Sequence, residues 1–217
     1  MIQIWTKGKS IGASLLVNEI NNLGANAERV VGGSPPHGAL CWGGMGGNKY
    51  EELERLAAVG VPVPPHSRTP KAGWLARRDR HREANDLLAE LSVGDYYVEF
   101  VPTLHEHRIH VFNGHSIRVS MKVPRIEDPN PRFRSWAAGW KFEVNPANTR
   151  LLPKGAREYA ATAVKALGYE FGAVDIATTV EGQAIIWEVN SQPGIEGSTV
   201  RQYAAAVIRK FKEEGSL

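Results

Sequence analysis

IIWEVNSQPGIEG, Ile185 to Gly197, is an apolar run that ends on an acid and an amide two residues apart. Strand side chains alternate faces, so Glu188 and Asn190 point one way while Trp187 and Val189 point the other. Two hard oxygen donors then share a face. Two residues of strand span about 6.6–6.8 Å, and inward-tilting side chains can close on one cation whose oxygens lie about 2.0–2.1 Å away in the case of Mg²⁺. On its own the stretch also fits turn chemistry, because Asn, Pro and Gly all favour turns.

Upstream, FGAVDIA (Phe171 to Ala177) reads as a second apolar strand, joined to AIIWEV by a turn at Glu181-Gly182. Asp175 lies among Ala173, Val174 and Ile176, where an ionised acid without a partner is costly. If the two strands pair, Asp175 comes beside Glu188 and Asn190, giving three oxygen ligands. The alternative is a structural ion pair between Asp175 and an arginine.

Two further β-runs, EHRIHVF and SIRVSMKV, flank Asn113, Gly114 and His115 as a hairpin. A three-residue loop places His110 opposite Arg118, Arg108 opposite Ser120 and Glu106 opposite Lys122, with Ile109, Val111, Ile117, Val119 and Met121 on the other face. A two-residue loop mixes apolar and charged residues on both faces, since a one-residue slip exchanges them. The three-residue reading makes one face of Glu106, Arg108, His110, Arg118 and Lys122, an anion-binding surface with an acid in it. HEHRIH lacks the helical zinc spacing because Ile109 stands four residues after His105.

The remaining chain reads as mixed helix and strand. Strands are expected at Ile2 to Trp5, near Arg29 to Val31, at Ala39 to Trp42, Gly73 to Arg78 and Tyr96 to Val101. Ser10 caps a helix in which Ile11, Leu15, Leu16, Ile20 and Leu23 recur at helical spacing before Gly24 stops it. Gly43 to Gly47 reads as a joint, and Asn48 with Glu51 starts a helix that ends at Gly60. VPVPPHS breaks regular structure. Further helices are expected over 81–91, over 154–167, and where Val200, Tyr203, Ala204, Val207, Ile208 and Phe211 recur. Arg125 to Asn148 reads as a long loop.

The composition is that of an ordinary soluble chain: 217 residues, 42% hydrophobic and 23% charged. No apolar run long enough for a membrane span and no signal core are present, so the expectation is a cytoplasmic protein without membrane partners. The single Cys41 forms no internal disulfide and no Cys-based zinc site. A net charge of +3 and a pI near 9.0 favour anionic ligands. The run ARRDRHRE (Ala76 to Glu83) is more often a solvated face than a nucleic-acid site.

VDIA (Val174 to Ala177) together with EVNSQPGIEG (Glu188 to Gly197) resembles the ATP-grasp superfamily, most closely its ribosomal-protein glutamate ligase branch. The likeness extends through YYVEFV and EHRIHVFNG, and more weakly through NKYEELERLAAVGVPVP. It implies an α+β ATP-grasp fold in which two subdomains clasp ATP, with Mg²⁺ (or Mn²⁺) on its phosphates. It also implies a short pre-grasp-like α/β unit over 1–47 and a grasp domain over 48–217, divided into a lid at about 70–100 and a larger metal-binding part at about 101–217. The implied metal ligands are Asp175, Glu188 and Asn190. Glu99, Phe100 and Val101 take the place of the adenine hinge, Glu106 that of the ribose acid, and Arg77 that of a phosphate lysine, a change that alters geometry though not charge. Arg108 resembles the arginine facing the transferred phosphate. Arg118, Lys122, Arg134 and Lys141 are candidates for substrate carboxylate or phosphate, with Ser191 and Gly194 in the loop. The implied reaction joins a small-molecule or peptide carboxylate to an amine through an acylphosphate. A phosphotransferase and a non-catalytic nucleotide- or nucleic-acid-binding module are the alternatives, and self-association is compatible with any of them. Two departures stand out: the unit before Asn48 is short, and beyond Phe133 to Ser135 the loop from Arg125 to Asn148 does not follow the relative.

Overall fold

The computed structural model describes residues 1–43, 47–79, 93–129 and 134–216. The helix expected over 81–91 and the centre of the joint at 43–47 lie outside them, as does the end of the basic run after Asp79. Three sheets are formed. The first is parallel, with β1 (Ile2–Thr6) between β2 (Ala27–Val31) and β3 (Leu40–Cys41). Helix α1 (Ile11–Asn22) connects β1 to β2, and the Ser10 hydroxyl caps it by accepting from the Ala13 amide. Its buried stripe is Ala13, Leu16, Val17 and Ile20, so Leu16 and Ile20 of the recurring apolar residues lie on it, whereas Leu15 and Leu23 are exposed and Ile11 is 82% exposed. The reason is Gly12: a Cβ there would stand 2.9 Å from the Trp42 ring. The helix therefore packs closely onto Trp42 at Gly12, and Ile11 and Leu15 beside it turn outward.

After α2 (Lys49–Ala58), capped by Asn48 as the sequence suggests, comes a small antiparallel sheet in which β6 (Tyr96–Val98) lies between β4 (His66–Ser67) and β5 (Leu75–Arg77). The strand expected over 96–101 ends at Val98, and His66–Ser67 pairs with it although its Pro-rich flank reads as a break. The third sheet has five strands in the order β11 (Ala184–Asn190), β10 (Phe171–Thr179), β7 (Thr103–Phe112), β8 (His115–Pro124) and β9 (Trp140–Glu143). A 3-10 helix covers Pro146–Leu151, α3 is Ala156–Ala166 and α4 is Ser198–Glu213. Strand β9 and the 3-10 helix correct the expectation of one long loop from Arg125 to Asn148.

One face of the large sheet packs on α3. Ile109, Val111, Val119, Val174, Ile176 and Val189 meet Ala160, Ala163 and Val164 in a single core. Gly172 sets that approach, because a Cβ on it would stand 2.4 Å from a Val164 methyl. The other face divides. At the hairpin end it is covered by α4 and the first sheet, with Phe112, Phe171, Trp42 and Tyr203 in contact. Its remainder carries the polar residues. No helix among the described residues is long and apolar enough to cross a membrane.

The hairpin loop also differs from expectation. Phe112 faces His115 across a two-residue turn, with Asn113 at φ 48° and Gly114 at φ 75°, the left-handed pair that suits a tight hairpin. One pair further on, β8 bulges at Ile117, and beyond it His110 faces Arg118 and Arg108 faces Ser120. The bulge thus restores the register derived from the apolar pattern.

Candidate active site

Pairing of β10 with both neighbours assembles the site. Asp175 stands opposite Glu188 on β11 and opposite Arg108 on β7, and Ala173 stands opposite Asn190 and His110. Asp175, Glu188, Asn190, Arg108, His110 and Glu106 therefore share one face. A bulge at Trp187 keeps Glu188 on this face while Ile186, two residues earlier, enters the α3 core.

Each acid has a cation. Asp175, 6% exposed, accepts both Nε (2.7 Å) and Nη2 (2.8 Å) of Arg108. Burial alone would raise its pKa, yet the guanidinium more than offsets this and holds the carboxyl below the ordinary aspartate range. Glu188 meets the Lys49 ammonium at 3.1 Å, and Lys49 also contacts Glu52 at 3.0 Å and donates to the Val189 carbonyl at 3.2 Å. Burial depresses the Lys49 pKa, but the two carboxylates outweigh it and raise the value. Glu106 is ion-paired with Lys122. Burial pushes its carboxyl up against the opposing pull of that ammonium. The Phe142 ring on β9 lies 4.2 Å from the Arg108 guanidinium and 5.2 Å from Lys122, close enough for cation–π attraction. Neither Lys49 nor Phe142 stands out in the sequence: Lys49 merely follows the Asn48 helix cap, and Phe142 falls in the stretch from Arg125 to Asn148 that reads as a loop.

His110 is 4% exposed, and its Nδ1 lies 3.2 Å from the Tyr203 hydroxyl, which donates to the Gly172 carbonyl at 3.0 Å. With the Tyr203 proton so used, Nδ1 is the donor to the Tyr203 oxygen. Burial, with Arg108 nearby, pulls its pKa down to about 3. Between about pH 6.5 and pH 3 the unfolded chain therefore binds a proton that the folded one does not, and stability falls with falling pH by up to about 1.4 kcal/mol per unit. Urea titrations across this range should show a flatter acid dependence in His110→Gln than in the parent.

Arg77 lines a cavity with Lys49, Tyr96, Trp187 and Glu188, so the small sheet meets the acidic face of the large one. Glu99, Phe100 and Val101 connect β6 to β7 at the joint between the two sheets, and the Glu99 amide is bonded to Pro65 O. Arg118 donates to Ser198 Oγ at 2.6 Å. Arg134 donates to the Thr103 and Leu104 carbonyls, placing it at the far end of β7. Lys141 pairs in register with Val123, on the face opposite Lys122 and Phe142, and its ammonium lies 3.9 Å from Glu143. It is not brought to the site. Ser191 and exposed Gly194 follow β11 directly, with room for a side chain at Gly194.

The donor set fits a hard divalent cation. Asn190 Nδ2 is buried without a hydrogen-bond partner, and a half-turn of the amide presents Oδ1 from the same position. Carboxylate oxygens keep lone pairs beyond those used by Arg108 and Lys49. Without the amide, no three His, Cys, Asp or Glu side chains come together as a metal cluster among the described residues. His107 is a core residue, fully buried, with Nε2 at 3.1 Å from Asn148 O.

No protein-family model and no curated protein matches the sequence, but solved structures match the fold over nearly its whole length. The ATP-grasp ligase PsnB, complexed with a minimal precursor, aligns over 96% of this chain and 98% of its own, with a TM-score of 0.67 at 12% identity. The macrocyclase MdnC from Microcystis aeruginosa, bound with precursor peptide MdnA, aligns over 97% and 100%, with a TM-score of 0.59 at 12% identity. D-Alanine–D-alanine ligase from Bacillus anthracis aligns over 99% and 100%, with a TM-score of 0.57 at 13% identity. The chain has the mixed helix-and-sheet fold of ATP-grasp ligases.

Proposed function

We propose that this chain is an ATP-dependent ligase that joins a carboxylate to an amine. The carboxylate attacks the γ-phosphate, ADP departs, and the amine displaces phosphate from the resulting acylphosphate. The observation that carries the reading is the shared face of Asp175, Glu188 and Asn190 with Arg108 and Lys49 beside it, on a fold common to ligases of this kind. PsnB has been seen with Mg and ADP, which supports the same ligands here.

A carboxylate is a poor electrophile, so the chemical burden lies in activating it, and the protein mainly positions reactants and neutralises charge. When bound, Mg²⁺ would supply that neutralisation. Asp175, Glu188 and Asn190 would hold it. Arg108, fixed in plane by Asp175 and Phe142, faces the transferred phosphate, with Arg118 and Lys122 as further cations on the sheet. Lys49 can turn from Glu188 to a phosphate oxygen without losing Glu52. Arg77 approaches the phosphates from the small sheet, Glu99 to Val101 receive adenine, and Glu106 the ribose. Ser191, Gly194 and Arg134 remain candidates for the second substrate.

PsnB and MdnC have been seen with precursor peptides, which favours a peptide on one side of the new bond. Placement within the glutamate-ligase branch rests on the sequence likeness, chiefly VDIA and EVNSQPGIEG.

Mg-ATP at about 100 times its dissociation constant should stabilise the fold by about 2.7 kcal/mol, roughly 5–11 °C for a chain of this size. Incubation with Mg-ATP, hydroxylamine and a panel of carboxylic acids and acidic peptides should yield ADP and hydroxamate in equal amounts by chromatography. AMP with pyrophosphate would exclude the acylphosphate route, and ADP with a stable phosphoester would make the protein a phosphotransferase.

A further inference from the structure

Away from the sheet face, the β7–β8 hairpin and α4 enclose a groove of about 660 Å³, within the range of ligand clefts. Ile117, Ala205 and Ala206 give it an apolar lining over the buried Phe112, and Arg201 and Arg209 stand along it. Both arginines are exposed and neither meets a carboxylate among the described residues. Lys210 also lines the groove but is engaged with Glu214 at 2.6 Å, and Glu213 closes one end.

We infer that this groove binds an extended acidic peptide segment, with carboxylates at two positions four residues apart and an apolar side chain midway between them. The spacing follows from the helix. Arg201 and Arg209 are eight residues apart, a rise of about 12 Å, and four residues of strand span about 13 Å with both end side chains on one face. The middle residue of such a segment also lies on that face, above Ala205, where the small side chain leaves room for a large apolar group against Ile117 and Ala206. Arginine forks bind carboxylates bidentately. A nucleic acid suits the groove less well, because its backbone needs a continuous cationic track, whereas here the floor is apolar, Lys210 is neutralised and Glu213 intrudes. The inference does not depend on the ligase reading, although a peptide substrate is one source of such a segment.

The test is fluorescence anisotropy with the full chain and a fluorescein-labelled heptapeptide, Gly-Glu-Ala-Phe-Ala-Glu-Gly. Saturable binding is expected. It should weaken at least tenfold with lysines in place of the peptide's glutamates, and by a similar factor with alanine in place of its phenylalanine. The double variant Arg201→Glu/Arg209→Glu should lose it, as should Ala205→Trp, which fills the floor. Both variants should keep the parent's thermal midpoint and its response to Mg-ATP, as neither touches the sheet face. Absence of binding by the parent chain, equal binding by the lysine peptide or by the double variant, or tighter binding of a labelled oligonucleotide would each overturn the inference. The peptide controls use the unaltered protein, so they decide the matter even if a variant fails to fold.

Discussion

Asp175→Ala should destabilise the fold by about 3–5 kcal/mol, because it leaves the Arg108 guanidinium in the sheet without its charge partner. Arg108 is bound through two nitrogens at 2.7 and 2.8 Å, and its side chain is only 22% exposed. Glu188 and Glu106 attract it more weakly than Asp175 does, so neither replaces the lost partner. Urea unfolding measures it directly, and a change below about 1 kcal/mol would mean that Arg108 finds another partner. The pair also sets an acid limb. Since the Asp175 pKa is lower folded than unfolded, its contribution is complete at neutral pH and disappears as pH falls below the ordinary aspartate range. The variant should lack that limb. Replacing both partners, as in Arg108→Met/Asp175→Leu, should recover most of the loss, because a buried ion pair and an apolar pair of similar volume are often close in energy.

Glu188→Gln should have the opposite profile, with turnover reduced at least about a hundredfold and stability within about 1 kcal/mol of the parent. Glu188 is 27% exposed at its side chain, and Lys49 keeps Glu52 and the Val189 carbonyl when the charge is removed. The fold therefore has little need of this carboxylate, whereas the proposed chemistry depends on it. ADP release and the thermal response to Mg-ATP should both be lost. Retention of more than a tenth of the parent turnover would remove Glu188 from the metal ligands, and unfolding would assign it a structural role instead.

The strands that build the site are legible in the sequence because their patterns are long. Ten residues each in β7 and β8, and the apolar runs of β10 and β11, specify both pairing and facing. What is illegible has local causes. WKFE carries only four residues between Gly- and Pro-rich flanks, too few to establish a period. Helix α1 is legible only in part: Leu16 and Ile20 of its recurring apolar residues lie on the buried stripe but Ile11 and Leu15 do not, and no spacing within the helix reveals the Trp42 ring beside Gly12. The Lys49–Glu188 contact joins residues from opposite ends of the chain, and no spacing rule within one element can anticipate it. Asp175 presents a different case. Its sequence admits either a metal ligand or an arginine pair, and the ion pair with Arg108 is present in a geometry that leaves lone pairs for the other role.

The hairpin behaves like a reading frame with a compensated shift. Its turn is one residue shorter than the pattern of the strands calls for, and the extra residue at Ile117 supplies the missing step one rung later. Everything on the Arg108 side of that rung is read in the correct frame, and the tip is insulated from it. Length variation within the few residues from Asn113 to Ile117 can thus be absorbed by moving a single count between turn and ladder. Arg108 stays opposite Ser120 while the outer end of the hairpin, which is also one wall of the groove on α4, is free to diversify.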